Sequence, residues 1–189
     1  MSLFLAICPP ESIREKIFTT IQNKDIPEEL WERKEELHIT LLFLSKGNPD
    51  SEYLQSIKER LVRFPFSSFE LQIGGLNLWS SKEYQILHLK IANSDELISI
   101  QSRIITLFPE IKKSIHEFSP HISLIRSSGI SKQKAEELKN KFSNFSTESF
   151  LVDKIHLYKG EKDPKTKRNR YRILESFPSD ESIRRIPQW

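Results

Sequence analysis

Apolar positions recur along this chain in two rhythms, one spaced by three or four residues and one alternating or unbroken, and the two take turns. Residues 3–7 form a short apolar run that stops at Pro9-Pro10, the mark of a buried strand ending in a turn. Residues 11–23 set Ile13, Ile17 and Ile21 four apart, one stripe of an amphipathic helix. The run LHITLLFL over 37–44 predicts a strand. Residues 50–64 predict a helix through Leu54, Ile57 and Leu61, with Asp50 or Ser51 as its cap. Strands are expected over 69–78 and 84–91, the second alternating Ile86, His88 and Lys90 against Leu87, Leu89 and Ile91. A helix over 95–108, a strand over 120–125 and a helix over 131–142 continue the series. Strands over 150–158 and 171–177 can pair across a turn containing Gly160 and Pro164.

Helices and strands interleave, yet some strand pairs are adjacent in sequence. This predicts an α+β fold with largely antiparallel sheets rather than a purely parallel one. No change of composition and no linker divides the chain, so residues 1–189 are expected to form one domain. With 37% hydrophobic and 29% charged residues, disordered and low-complexity classes drop out. Cys8 is the one cysteine, which excludes an intrachain disulfide and a cysteine-based zinc site. The apolar start is too short for a signal or membrane segment, so a cytoplasmic monomer without a membrane partner is expected.

The net charge of +3 says little, but its distribution says more. Residues 159–172 hold seven basic side chains (Lys159, Lys162, Lys165, Lys167, Arg168, Arg170, Arg172) against Glu161 and Asp163, net +5. Such a turn could follow a phosphate backbone, or be a solvated turn and nothing more.

The candidate chemistry lies in an internal echo. His38-Ile39-Thr40-Leu41 and His121-Ile122-Ser123-Leu124 repeat one pattern, each in a strand-like setting. On a strand, residues two apart point to the same face. His38 and Thr40 would therefore project together, as would His121 and Ser123, while Ile39 and Ile122 turn inward. Two such strands facing one cleft bring two imidazoles and two hydroxyls to one small anion. One imidazole can remove a proton from an attacking oxygen while the other protonates the leaving one. The hydroxyls can hold non-bridging phosphate oxygens, and no metal or other cofactor is required. Taken singly, each histidine could equally be a hydrogen-bonded strand residue; the pairing is what favours catalysis.

These motifs resemble those of the 2H phosphoesterase superfamily, specifically the RNA 2′,3′-cyclic phosphodiesterases also called 2′-5′ RNA ligase-like proteins. The similarity runs nearly end to end. Phe4-Leu5-Ala6-Ile7 resembles the opening strand, and Trp31-Glu32-Arg33 leading to Leu37–Leu44 the first signature. Phe118–Arg126 resembles the second signature, and Leu157-Tyr158 with Tyr171 and Phe177 the closing hairpin. The resemblance implies a bilobal fold, two pseudo-symmetric lobes around a central groove. It implies metal-independent opening of a 2′,3′-cyclic phosphate on RNA or an oligonucleotide, with possible reversible 2′-5′ ligation. By the same carry-over His38 is the proton donor and His121 the proton acceptor, while Thr40, Ser123 and Arg126 bind substrate. The rival readings are a non-catalytic module that binds RNA ends and a phosphodiesterase for a small nucleotide derivative.

Two departures are visible. Ser123 stands where threonine is commoner, and Ser45-Lys46 intervene before Gly47. Arg126 also raises a geometric problem: five residues after His121, it would face away from it in an unbroken strand. It reaches the same face only if the strand ends or bulges near Ile125, or if its long side chain curls around. His88 and His156 are read as structural, and Cys8 as core. His116, Glu117 and His121 lack metal-ligand spacing. Trp31 and Phe4 are weak candidates for lining the groove, and Trp79 and Trp189 are read as packing residues.

Overall fold

The computed structural model describes residues 2–47, 49–92, 95–111, 117–166 and 168–184. His116, Lys167 and Trp189 lie outside the described residues. The chain runs β1 (Ser2–Ile7), α1 (Glu11–Ile21), β2 (Ile39–Lys46), α2 (Ser51–Val62), β3 (Phe69–Leu71) and β4 (Ile73–Ser80). The same sequence of elements then recurs as β5 (Gln85–Ile91), α3 (Asp95–Leu107), β6 (His121–Ser127), α4 (Lys132–Lys141), β7 (Phe150–Val152) and β8 (Lys154–Lys162). β9 (Asn169–Pro178) and the short α5 (Asp180–Arg184) close it. The fold is α+β and its strand pairs are antiparallel.

The two halves exchange their last strands. One sheet has the order β2-β1-β8-β9, another β4-β5-β6, and β3 pairs with β7 in a third. Thus β8 of the second half lies beside β1 of the first, while β4 of the first half lies beside β5 of the second. The exchange explains two corrections to the pattern reading. The run 69–78 is two strands meeting at Gln72, and 150–158 is two strands meeting at Asp153, with β8 reaching Lys162. In each pair the short strand joins its counterpart and the long one crosses to the other half's sheet. An apolar pattern continues through such a change of partner, so it hides the break.

The helices form as their stripes dictate. Ile13, Ile17 and Ile21 of α1 are fully buried, each contributing about 1.5–3 kcal/mol of transfer free energy. Asp50 caps α2 through Oδ1, which accepts the Tyr53 N–H at 2.7 Å. Ser131 caps α4 in the same way. In β1 the unbroken apolar run reflects burial on both faces. Leu3, Leu5 and Ile7 enter the main core, while Phe4 and Ala6 join Tyr158 and Tyr171 in a separate cluster on the other face. Gly75 is needed where α4 ends on β4: a Cβ there would lie 1.8 Å from the Ser143 carbonyl oxygen. At the end of β2, Gly47 turns the chain at φ 108, a conformation other residues rarely adopt. No helix among the described residues is long and apolar enough to cross a membrane.

Candidate active site

His38 precedes the first residue of β2, and His121 opens β6. In the first sheet Ala6 pairs with Thr40 and Leu5 with Leu42, so Leu41 is an extra residue in β2. In the second, His88 pairs with Ser123 and Leu87 with Ile125, so Leu124 is the extra residue in β6. Both bulges thus fall three residues after a histidine. Beyond a bulge the side chains exchange faces. Leu124 and Ile125 are consecutively buried, and Arg126 returns to the side of His121 and Ser123. Its Nη2 donates to Ser123 Oγ at 3.2 Å. That resolves the geometric problem posed by its spacing. Phe43 occupies the matching place after His38 and is 57% exposed.

All five residues singled out from the sequence, His38, Thr40, His121, Ser123 and Arg126, line one groove of about 410 Å³. Phe4, Phe43, Tyr171, Glu32 and Glu36 line it too, with Lys162 and Asn169 contributed by the hairpin. The two imidazoles are held by the same device. His38 Nδ1–H donates to the Glu36 carbonyl at 2.7 Å, and His121 Nδ1–H to the Ser119 carbonyl at 2.8 Å, each two residues upstream. A carbonyl only accepts, so the proton sits on Nδ1 and leaves Nε2 as the nitrogen available to the groove.

Their surroundings differ. His38 is walled by Phe4 at 5.0 Å, Tyr158 at 5.7 Å and Tyr171 at 4.9 Å between ring centroids. Burial pushes its pKa down to about 4, against the opposing effect of the Glu36 carbonyl. His121 meets Trp79 edge-on at 4.5 Å and His88 at 5.4 Å. Burial first, and the Arg126 charge after it, lower its pKa too. Burial holds the Tyr171 phenol up at about 12. Tyr171 therefore stays a neutral hydroxyl.

Other sequence candidates fall elsewhere. Trp31 is buried in the core, 4% exposed, and does not line this groove: its backbone bridges to Ile125 and its ring packs inside. This corrects the expectation for Trp31, while Phe4 does line the groove. Three side chains of the basic turn are engaged within the protein. Lys159 pairs with Glu161 at 2.7 Å, Arg170 with Asp163 at 2.8 Å, and the Arg168 guanidinium donates to the Trp31 carbonyl. His88 is 2% exposed, with Trp79 stacked on it at 3.8 Å. His156 bonds Ser176. Among the described residues no group of three or more His, Cys, Asp or Glu could hold a metal.

Glu32, Glu36, Phe43 and Tyr171 were not picked out as site residues from the sequence. The +5 spacing shared by Phe43 and Arg126 was a usable signal for Phe43. Glu36 and Tyr171 had none, because what joins them is a contact: the Tyr171 N–H donates to Glu36 Oε1 at 3.4 Å across the fold.

Over residues 9–164 the chain matches the sequence profile described as the 2′-5′ RNA ligase superfamily. The fold resembles that of TT0787 of Thermus thermophilus (TM-score 0.74, 22% identity, covering 94% of this chain and 97% of that one). It also resembles E. coli LigT complexed with phosphate (0.71, 22%, 94% and 96%) and LigT complexed with 3′-AMP (0.71, 23%, 95% and 98%). No curated protein matches the sequence.

Proposed function

The chain belongs to the 2′-5′ RNA ligase superfamily of 2H phosphoesterases, and from that premise we propose that it hydrolyses RNA 2′,3′-cyclic phosphates to 2′-phosphomonoesters without a metal. The observation that carries this reading is the pair of imidazoles lining one groove, each with Nδ1–H tied to a carbonyl two residues upstream. Solved structures of the same fold with phosphate and with 3′-AMP, both of E. coli LigT, support a phosphate-bearing nucleotide as the ligand class.

In the proposed reaction His121 Nε2 accepts a proton from water as the water oxygen bonds to phosphorus. The bond from phosphorus to the 3′ oxygen breaks, and that oxygen takes the Nε2 proton of His38, which enters the step as the imidazolium with both ring nitrogens protonated and leaves it neutral. One water is consumed, and the phosphate stays on the 2′ oxygen. Thr40 and Ser123 donate hydroxyl hydrogens to the non-bridging oxygens, and Arg126 offsets their growing charge. A 5′-hydroxyl in place of the water would give a 2′-5′ linkage by the same proton movements. The test is incubation of an oligonucleotide carrying a 2′,3′-cyclic end, with chelator present, followed by analysis of the terminal phosphate. A 2′-phosphate is expected. A 3′-phosphate, an unreacted end, or activity lost to the chelator would sink the proposal.

A further inference from the structure

The groove that would hold a phosphate carries carboxylates as well as cations. Its charged lining is Arg126 and Lys162 against Glu32, Glu36 and Glu161, and Glu161 is paired with Lys159 at 2.7 Å. Glu32 and Glu36 come from the connection between α1 and β2, which crosses from one sheet to the other. The Glu32 N–H donates at 2.7 Å to the carbonyl of Leu124, the bulge residue that turns Arg126 toward the groove. Glu32 is therefore anchored to the same irregularity that aims the arginine. Glu36 is 9% exposed, and its Oε1 accepts the Tyr171 N–H.

We propose that Glu32 and Glu36 act as charge discriminators, admitting a singly charged phosphodiester and disfavouring the doubly charged phosphomonoester that its hydrolysis creates. The inference rests on the proposed reaction, in which the ligand gains a negative charge while staying in place. A monoanion meets Arg126. A second negative charge falls in a groove that Glu32 and Glu36 also line, and like charges sharing one partly dry groove repel. Negative charge is already costly there. Burial foremost, then the Glu36 charge, raise the pKa of Glu32, while Arg126 and Arg168 act in the other direction. Burial raises Glu36 as well, against the Tyr171 N–H, Arg33, Arg168 and Arg170. The carboxylates themselves bind nothing; they speed departure of product by making its complex weaker than that of substrate.

The arithmetic gives a sharp signature. If removing one carboxylate strengthens binding of a monoanion by some factor, it strengthens binding of a dianion at the same position by about the square of that factor. The experiment uses the full chain with His121→Ala to prevent turnover, with and without Glu32→Gln or Glu36→Gln. It titrates 2′,3′-cyclic AMP and 2′-AMP calorimetrically at about pH 7.5, where the monoester is mostly dianionic. Each Gln variant is expected to tighten the cyclic diester by about threefold and 2′-AMP by about tenfold. The excess should shrink at about 0.5 M salt. Equal factors for both ligands, or no gain for 2′-AMP, would overturn the inference. Thermal melting checks folding, and Glu32→Gln alone decides if Glu36→Gln fails to fold. Inorganic phosphate, titrated beside them, should follow 2′-AMP. None of these measurements needs turnover, so an unreactive unmodified protein would refute the proposed function separately.

Discussion

The strand after His38 and the strand after His121 are built to one plan and furnished differently. Each has its imidazole fixed through Nδ1, a hydroxyl two residues on, a bulge at the third residue and a groove-facing side chain at the fifth. Around His38 the furnishing is aromatic: Phe4, Tyr158, Tyr171 and, at the fifth position, Phe43. Around His121 it is Trp79, His88 and, at the fifth position, Arg126. The duplicated backbone sets the places, and side-chain choice makes one wall aromatic and gives the other an arginine. A phosphate ester is itself lopsided, with charge on one side and a nucleoside on the other. An asymmetric pair of walls suits it better than two equal ones.

The comparison can be broken most severely at the imidazoles. On the proposed mechanism His38→Ala and His121→Ala should each lower cyclic-phosphate hydrolysis by about 10²–10⁴-fold, measured as kcat on a 2′,3′-cyclic oligonucleotide. A loss in one variant only would mean that the walls do not share the proton transfers. Next come the fifth positions. Arg126→Gln should lower kcat/KM by about 10²-fold, because a charged donor to the developing phosphate charge is lost. Phe43→Leu should cost less than about tenfold and act on KM, since an apolar face is kept. Equal effects would erase the distinction between the walls.

The pH dependence sharpens the contrast further. Burial lowers both imidazoles in the free protein, His38 to about 4. Both limbs of the kcat/KM profile should therefore lie below about pH 6.5, the ordinary imidazole value. Phe4→Ala, which opens the wall around His38, should move the limb set by His38 upward, and Trp79→Ala the limb set by His121. The smallest effect is on stability. His88 is buried with its pKa lowered to about 4, so the unfolded chain binds its proton more readily than the folded one. Its contribution to stability is full above about pH 6.5 and is lost as pH falls toward about 4. Urea midpoints should fall over that range, and His88→Gln should flatten the fall.

Periodicity made the helices readable because their burial is one-sided: Ile13, Ile17 and Ile21 are what a stripe on a surface helix requires. The paired His-Ile-hydroxyl-Leu strands were equally open to inspection, and the five residues drawn from them line one groove. The breaks at Gln72 and Asp153 were hidden, since a strand that changes partner keeps its apolar pattern. Trp31 misled because a large aromatic beside a signature segment suits a groove or a core equally well, and it is the bridge to Ile125 that draws it inward. The engagement of Arg168 and Arg170 was likewise out of reach, because the Trp31 carbonyl comes from a distant stretch of the chain and Asp163 is brought to Arg170 by the β8–β9 hairpin.

The exchange of β4 and β8 between the halves has a consequence for how such a chain can be taken apart. Cut in the turn between β4 and β5, the first piece would lack the strand that flanks β1, and the second would lack the strand that flanks β5. Each would expose an unpaired edge that only the other piece, or a second copy of itself, can cover. Two identical half-length chains trading their final strands would rebuild the same layout, with a histidine on each wall. Fusing such a pair into one polypeptide frees each wall to specialise without the other having to follow.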